Sequence, residues 1–295
     1  MHDHLSPSVV PLLSEPDDIR IEHIQKGAWL GLEDAMAALK RMDAMLHHPT
    51  VPRMPNLLLV GPSFSGKTSI LHKFVSKHLP NQAPEREATV CPVIMVEAPP
   101  KPDISDFYSR ILDAMFAHVR HTASPHQKYF QIKQLFRELS VKMLIIDEIH
   151  HLVAGSMARQ REFRNAIKSL GNETQVSIVA AGIDDAYNAM NLDPQMASRF
   201  PPLALTSRWE GMKAQRLLRS IERQLPLAEA SWLCDEDMTS RLTAMAEGSL
   251  GNICDLCKTA AIEAIKSGKR QITRKQIDAL DWIPPSARRK HRPIL

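Results

Sequence analysis

The sequence has few cysteines and no long apolar run, and both absences limit the class of protein. Four scattered cysteines in 295 residues are too few for a disulfide framework, so a cytoplasmic location is expected. No apolar stretch approaches the ~18 residues that a membrane span needs, so no membrane association is expected. The first 18 residues lack a basic start and contain three prolines, so they do not predict a signal peptide.

Charge is nearly balanced except at one end of the chain. The formal net charge is +4, and the last 12 residues hold four basic and no acidic side chains. The rest of the chain carries 33 basic and 33 acidic residues. Apolar residues make up 44% and charged residues 24%, which is typical of globular proteins and excludes wholesale disorder. We expect a neutral folded body with a basic tail.

Short apolar runs alternate with helical patterns over the first two thirds of the chain. The runs are continuous, which is typical of parallel strands buried on both faces. They predict strands at 56–60, 93–97, 143–147, 176–180 and 203–205. Helical patterns at 69–78, 104–119 and 160–170 lie between these strands. This alternation favours an α/β fold with a parallel sheet flanked by helices.

The same patterns divide the chain into segments. Residues 1–18, rich in proline and acidic side chains, predict a flexible leader. A helical pattern at 19–47 and a proline-rich connector form an extension, 19–55, of an α/β domain that covers 19–207. Helical patterns at 211–225, 236–247, 253–266 and 274–280 predict a small helical lid at 208–282, before a basic tail at 283–295.

A phosphate-binding loop follows the first predicted strand. The segment from Gly61 to Thr68 fits G-x-x-x-x-G-K-[ST] without mismatch and precedes a predicted helix, the context that this motif requires. Glycines let backbone N–H groups point at phosphate oxygens. Lys67 is expected to reach the β- and γ-phosphates, and the Thr68 hydroxyl to bind Mg²⁺. The predicted ATP-binding residues here are Gly61, Pro62, Ser63, Ser65, Gly66, Lys67, Thr68 and Ser69.

A pair of carboxylates ends the third predicted strand. The apolar run 143–146 is followed by Asp147 and Glu148, which the parallel sheet should place beside the phosphate loop. Asp147 is expected to support Mg²⁺ and contribute to the ATP site. Glu148 is expected to polarise the attacking water, so hydrolysis is the predicted reaction. A nucleotide kinase would not need this second carboxylate.

The acidic pair and the helical lid resemble the AAA+ class of P-loop ATPases. Longer blocks narrow the resemblance to the TniB family of bacterial transposon ATPases, which is similar to TnsC and the phage Mu B protein. These blocks are Arg53-Met-Pro-Asn before the phosphate loop, Asp147-Glu-Ile-His-His151, residues 160–170, and Ser198-Arg199-Phe200 with Trp209 beyond. The resemblance covers roughly residues 19–282.

The resemblance implies function and partners. Such proteins bind ATP and Mg²⁺, assemble as rings or helical filaments on duplex DNA, and choose a target site. They engage a TniA-like DDE transposase and a TniQ-like adaptor, and hydrolysis dismantles the assembly. Arg199 matches the arginine-finger position, so it is expected to act on ATP in a neighbouring subunit. Its alternative role is a surface salt bridge.

Two positions depart from the AAA+ pattern. Ile183 follows Gly182 where a small hydroxyl residue is usual, and Asp184 comes next. Cys254 stands where many AAA+ lids have an arginine. Both departures predict slow turnover. Two alternatives stay open: a helicase loader or replication-type ATPase, and, because the lid arginine is missing, an ATP-binding scaffold with negligible hydrolysis.

Basic side chains supply candidate DNA contacts. Lys101 lies in a loop after the second strand, and loops at this place face DNA in related filaments. Arg161, Arg164 and Lys168 share one face of a predicted helix, which favours a DNA or subunit interface. The tail, from Arg288 to Arg292, is a further candidate for DNA or transposase binding.

Other metal-ligand types do not form a recognisable site. His150 and His151 lack the spacing of a zinc motif, and Cys254-x-x-Cys257 has no second pair. The histidines are expected to pack or hydrogen-bond near the acidic pair, and the cysteines to be buried thiols.

Overall fold

The computed structural model describes residues 2–82, 89–119, 122–191 and 193–288. The chain divides into two compact units. The α/β unit runs from Glu33 to Leu205, and the helical unit combines the chain up to Leu32 with the chain from Thr206 onward. The predicted basic tail is described only as far as Arg288, so Arg289, Lys290 and Arg292 lie outside the described residues.

A five-stranded parallel sheet forms the centre of the α/β unit, in the order β4-β5-β6-β1-β7. Strands β2 and β3 form a separate antiparallel pair. The strands are β1 (Leu57–Val60), β2 (Asn81–Gln82), β3 (Thr89–Val90), β4 (Val93–Glu97), β5 (Met143–Asp147), β6 (Ser177–Gly182) and β7 (Pro202–Ala204). Strands β1, β5 and β6 are buried along their whole length, as continuous apolar runs predict. The predicted α/β fold is confirmed.

Helices surround this sheet and make up the helical unit. They are α1 (Asp17–Lys26), α2 (Glu33–Leu46), α3 (Lys67–Val75), α4 (Ile104–Ala114), α5 (Pro125–Glu138), α6 (Met157–Thr174), α7 (Asp184–Asn191), α8 (Pro194–Ala197), α9 (Gly211–Glu222), α10 (Glu236–Met245), α11 (Leu250–Lys266), α12 (Arg274–Asp278) and α13 (Pro285–Arg288), with 3₁₀ helices at Val10–Ser14 and Ile149–Ala154. Among the helices of the described ranges, none is long and apolar enough to cross a bilayer.

The N-terminal segment packs within the helical unit. Leu5 and Val9 are buried, and the backbone N–H of Ser6 donates to the carbonyl of Arg223. Helix α1 contacts α11, and Ile24 belongs to the same apolar core as Leu217. The prediction differs here in two ways. Residues 1–18 do not form a separate leader, and residues 19–32 do not extend the α/β unit.

The predicted helix over 19–47 is two helices. Helix α1 ends at Gly27, whose φ of 70° lies in the left-handed region that favours glycine at a helix end. Helix α2 begins at Glu33, which is also where the α/β unit begins. The predicted helix at 104–119 ends earlier, at Ala114. The prediction also missed α5, although Ser124 and Gln127 form a capping box around Pro125.

A buried carboxylate organises the helical unit. Glu222, at the end of α9, is 8% exposed and accepts backbone hydrogen bonds of 2.6, 2.9 and 3.1 Å. The donors are the N–H groups of Ser231, Trp232 and Leu233. The side chain therefore fixes the loop that enters α10.

We expect Glu222→Gln to lower the free energy of unfolding by about 1.5–3 kcal/mol, because hydrogen bonds to a charged acceptor weaken when the charge is removed. Urea titration followed by circular dichroism measures the change. Glu229→Gln is the matched control, since the side chain of Glu229 forms an exposed ion pair with Arg270. Equal stability of the Glu222 variant and the native protein would contradict the assignment.

Candidate nucleotide-binding site

The phosphate loop lies at the carboxyl edge of the sheet, between β1 and α3. Gly66 has a φ of 90°, so the turn into α3 requires glycine. A Cβ on Gly61 would lie 2.7 Å from the Ser65 hydroxyl, so the loop closes tightly on itself. That hydroxyl is buried and has no hydrogen-bond partner among the described residues. A buried unpaired hydroxyl inside such a loop is suited to bond a phosphate oxygen.

Lys67 is buried, and its ammonium donates to the carbonyls of Gly61 and Pro62, both at 2.8 Å. Burial lowers the pKa of Lys67 below that of an ordinary lysine. Three carboxylates oppose this shift and stabilise the charge; in decreasing order of effect they are Glu148, Asp147 and Asp184. Two bonds to neutral carbonyls leave the cation available to exchange them for phosphate oxygens.

Thr68 and Asp147 join the two halves of the site. The Thr68 hydroxyl donates to Oδ2 of Asp147 at 2.7 Å, and Oδ1 of Asp147 accepts from the Glu148 N–H at 2.8 Å. Thr68 lies in an exposed position, and Asp147 is 4% exposed. A hydroxyl and a carboxylate are hard oxygen ligands of the kind that Mg²⁺ prefers. The two side chains therefore fit the predicted magnesium site.

Glu148 lies just beyond β5 in a left-handed backbone conformation, with a φ of 54°. A non-glycine residue in this region is strained, and such strain is common at functional sites. An Oε2 atom of Glu148 lies 3.0 Å from Nδ1 of His150, at ion-pair distance but without hydrogen-bond orientation. Glu148, His150 and His151 each place a ligand-type atom within 4.8 Å of the others, so they could hold a metal ion.

The turn after β6 brings a further charged group, Asp184, to the carboxyl edge of the sheet. A Cβ on Gly182 would approach Ala186 at 2.7 Å and Ile149 at 3.1 Å, so only glycine lets the turn pack here. Ile183 follows with no polar side-chain atom, and Asp184 begins α7 close enough to act on Lys67. Sequence reasoning named Asp184 but missed Phe64, an exposed phosphate-loop residue with a strained φ of 61°.

Arg199 lies at the opposite edge of the sheet. It precedes β7, whose Pro202 pairs with Leu58 at the start of β1, whereas the phosphate loop follows the end of β1. Four residues of strand span roughly 13 Å. Arg199 donates to the Asn172 side chain at 2.6 Å, and Arg53 donates to Ser198 nearby. Within one α/β unit the sheet therefore separates Arg199 from the phosphate loop.

The candidate DNA contacts have different surroundings. Lys101 is exposed in the loop after β4, where the buried Pro102 holds the loop close to Gly155. Arg161 is exposed on α6.

Two other candidates on that helix are less accessible, one because it is buried and the other because it forms an ion pair. Arg164 is only 5% exposed, so the predicted surface contact is wrong for this residue. Its Nε and Nη1 atoms have no hydrogen-bond partner among the described residues. Lys168 donates to Asp193 at 3.1 Å.

The two lid cysteines lie on α11. Burial raises the pKa of the Cys254 thiol to about 11 and raises that of the fully buried Cys257 thiol as well. Both thiols are therefore protonated near neutral pH, as inert packing groups are.

This fold and site define the class: a P-loop protein with the AAA+ ATPase fold. Solved structures share the fold. Aeropyrum pernix ORC2, in ADPNP-ADP complexes, has a TM-score of 0.60 and 14% identity over 83% of this chain and 66% of that one. The A. pernix ORC1 protein in complex with DNA has a TM-score of 0.59 and 17% identity, over 83% of this chain and 63% of that one. Drosophila ORC bound to DNA has a TM-score of 0.57 and 12% identity, over 90% of this chain and 65% of that one. The chain thus spans just under two thirds of the length of each.

The family follows from a second comparison. The profile of the bacterial TniB protein matches residues 20–211. This chain belongs to the TniB family, and the resemblance predicted from its residues is confirmed. No curated protein sequence matches the chain.

We expect Thr68→Val to weaken ATP binding about tenfold in Mg²⁺, because one ligand and one charge-assisted hydrogen bond are lost. Titration with a fluorescent ATP analogue measures the affinity with Mg²⁺ and with EDTA. Thr259→Val, at an exposed helix position, controls for the general effect of the substitution. An equal loss of affinity in EDTA would contradict the assignment of Thr68 to the metal.

Proposed function

We propose that this protein is an ATP-dependent regulator of DNA transposition. It assembles as a ring or helical filament on target duplex DNA, largely without sequence preference, and selects the insertion site. It recruits or activates a TniA-like DDE transposase together with a TniQ-like adaptor. ATP hydrolysis then drives disassembly. Membership of the TniB family supports the biological role.

The bond between Thr68 and Asp147, with Glu148 next to it, is the observation that carries the enzymatic part of this proposal. Bound Mg²⁺, held by Thr68 and Asp147, would neutralise charge on the ATP phosphates. Lys67 would release its loop carbonyls and bind the β- and γ-phosphates. The Glu148 carboxylate would orient the attacking water and accept its proton.

The position of Arg199 supports the proposed self-assembly. Because the sheet separates it from the phosphate loop of its own unit, its guanidinium would stabilise the γ-phosphate of ATP bound to another copy. A head-to-tail contact of this kind generates rings or helical filaments. Activity would thus depend on assembly, which suits a regulator that acts only on DNA.

Binding of DNA is proposed through Lys101 and Arg161, the two exposed candidates in the α/β unit. Two of the solved structures that share the fold contain DNA. Contacts from lysine and arginine to phosphates give affinity without sequence readout. Lys168 pairs with Asp193 and is less suited to this role.

One alternative has an observation in its favour. The Ile183 side chain has no polar atom, so it cannot hydrogen-bond a γ-phosphate or a water, and Cys254 replaces a lid arginine. An ATP-binding scaffold with negligible hydrolysis would have these features. A helicase loader is distinguished by binding to a helicase.

We expect Glu148→Gln to lower DNA-stimulated ATP hydrolysis at least 10²-fold, roughly the contribution of a general base. ATP binding should remain, so assemblies on long duplex DNA should persist after ATP is added. Phosphate release and sedimentation, measured on the same samples, test both effects. Glu162→Gln, an exposed residue on α6, is the matched control.

Two results would contradict the proposal in different ways. Native protein that assembles on DNA but releases no phosphate would favour the scaffold. Native protein that neither assembles with ATP nor binds duplex DNA would exclude the transposition role and leave the loader.

We expect Lys101→Ala to reduce the slope of log affinity against log salt by about 0.9 per subunit, because one phosphate contact disappears. Fluorescence anisotropy with a labelled duplex at several salt concentrations measures the slope. Lys142→Ala is the control, since Lys142 is exposed at the amino edge of the sheet, before β5. An equal change in both variants would show that Lys101 makes no specific phosphate contact.

A further inference from the structure

The turn that carries Arg199 is held by a residue far away in the sequence. Nη2 of Arg53 donates to the carbonyl oxygen of Ser198 at 3.2 Å and to its hydroxyl at 3.1 Å. Arg53 lies in the connector before β1, 145 residues from Ser198. Ser198 is the residue immediately before Arg199, so this contact acts directly on the backbone of the arginine turn.

The hydrogen bonds of Ser198 are mutually consistent. Its hydroxyl donates to the carbonyl of Gln195 at 3.1 Å, which leaves its lone pairs to accept from Arg53. Both bonds come from one nitrogen, Nη2, which carries two N–H donors, so the carbonyl and the hydroxyl each receive a separate hydrogen.

The turn is fixed on its other sides as well. Met196 and Phe200 are buried and hold the turn against the core. Lys168 pairs with Asp193 at the start of α8, and Asn172 accepts from Arg199 at 2.6 Å. Arg53 adds a contact from the connector before β1 to Ser198, which is exposed.

Placing a second guanidinium in this region has an electrostatic cost. Arg53, Lys168 and Arg199 line the same cleft, and like charges repel. The cleft also contains Asn172, the acceptor of Arg199. A cation without hydrogen-bond acceptors would be unfavourable in this cleft. Arg53 offsets the repulsion because it donates two hydrogen bonds to Ser198.

We propose that Arg53 is a positioning residue for Arg199: it fixes the Ser198–Arg199 turn in the orientation that reaches ATP in a neighbouring copy. This inference rests on the proposed action of Arg199 in trans. A displacement of about 1 Å at a reacting centre is enough to reduce a rate about 10²-fold, so loss of this contact should be visible in hydrolysis.

The first test compares single variants of the full chain with duplex DNA present. Arg53→Ala should lower ATP hydrolysis about 10²-fold, with unchanged ATP affinity, and Arg53→Lys should lose less. Arg199→Ala should lose about 10³-fold or more. Arg41→Ala, an exposed arginine on α2, is the matched control and should retain the native rate. Native hydrolysis by Arg53→Ala would overturn the inference.

A mixing experiment separates positioning in trans from loss of folding. Lys67→Ala has a defective phosphate loop but an intact Arg199 turn, and Arg53→Ala has the reverse. Each alone should hydrolyse ATP at about one hundredth of the native rate or less. In an equimolar mixture, about half of the copies have an intact phosphate loop, and about half of their neighbours have an intact Arg199 turn. About a quarter of the interfaces therefore combine both, so about a quarter of the native rate should be recovered.

The same mixture with Arg199→Ala in place of Arg53→Ala distinguishes the two hypotheses. Recovery with Arg199→Ala but not with Arg53→Ala overturns the inference and leaves the proposed function intact. No recovery with either overturns the proposed action of Arg199 in trans.

A double-mutant cycle tests whether Arg53 acts through Ser198. Ser198→Ala alone should reduce hydrolysis by a smaller factor than Arg53→Ala. The double variant should be no slower than Arg53→Ala, because the shared contact is already lost. Additive losses would show that Arg53 acts independently of Ser198, which would also overturn the inference.

Discussion

The hydrogen bond between Thr68 and Asp147 is the interaction on which the candidate site depends. It joins the first turn of α3, which follows β1, to the end of β5, and β6 lies between β1 and β5 in the sheet. The bond can form because all these strands are parallel, so the loops after β1, β5 and β6 emerge at one edge. The continuous apolar strands thus place Lys67, Glu148 and Asp184 in one electrostatic field, although they come from distant parts of the sequence.

Strain accompanies this convergence. Glu148 and Phe64 both have left-handed backbone conformations, each of which costs about 1–2 kcal/mol in a non-glycine residue. Close packing around Gly182 fixes the neighbouring turn. Burial of the apolar core around the sheet stabilises the fold and compensates for these local free-energy costs, because the core is much larger than the site. If Glu148 acts on the attacking water as proposed, its fixed place beside a rigid strand would reduce the movement needed for reaction.

Much of the site could be predicted from sequence because its motifs are local. Gly61 to Thr68 and Asp147-Glu148 each occupy one continuous segment, and the strands before them are continuous apolar runs. Predictions failed where local patterns are ambiguous. Ala28 and Leu32 fit a helical period whether or not the helix stops at Gly27, and Arg164 shares helical spacing with Arg161 although only one is exposed. Contacts such as Arg53 with Ser198 have no local pattern at all.

The opposite edges of the sheet suggest why hydrolysis would be linked to assembly. The phosphate loop and its carboxylates follow the strands, whereas Arg53, Asn172 and Arg199 precede them. A single α/β unit could bind ATP with the first set, but the second set cannot reach its own phosphate loop across the sheet. If Arg199 acts in trans, a single copy could bind ATP, whereas efficient hydrolysis would require a second copy. Under the proposed function, an assembly on DNA would then persist until hydrolysis dismantles it.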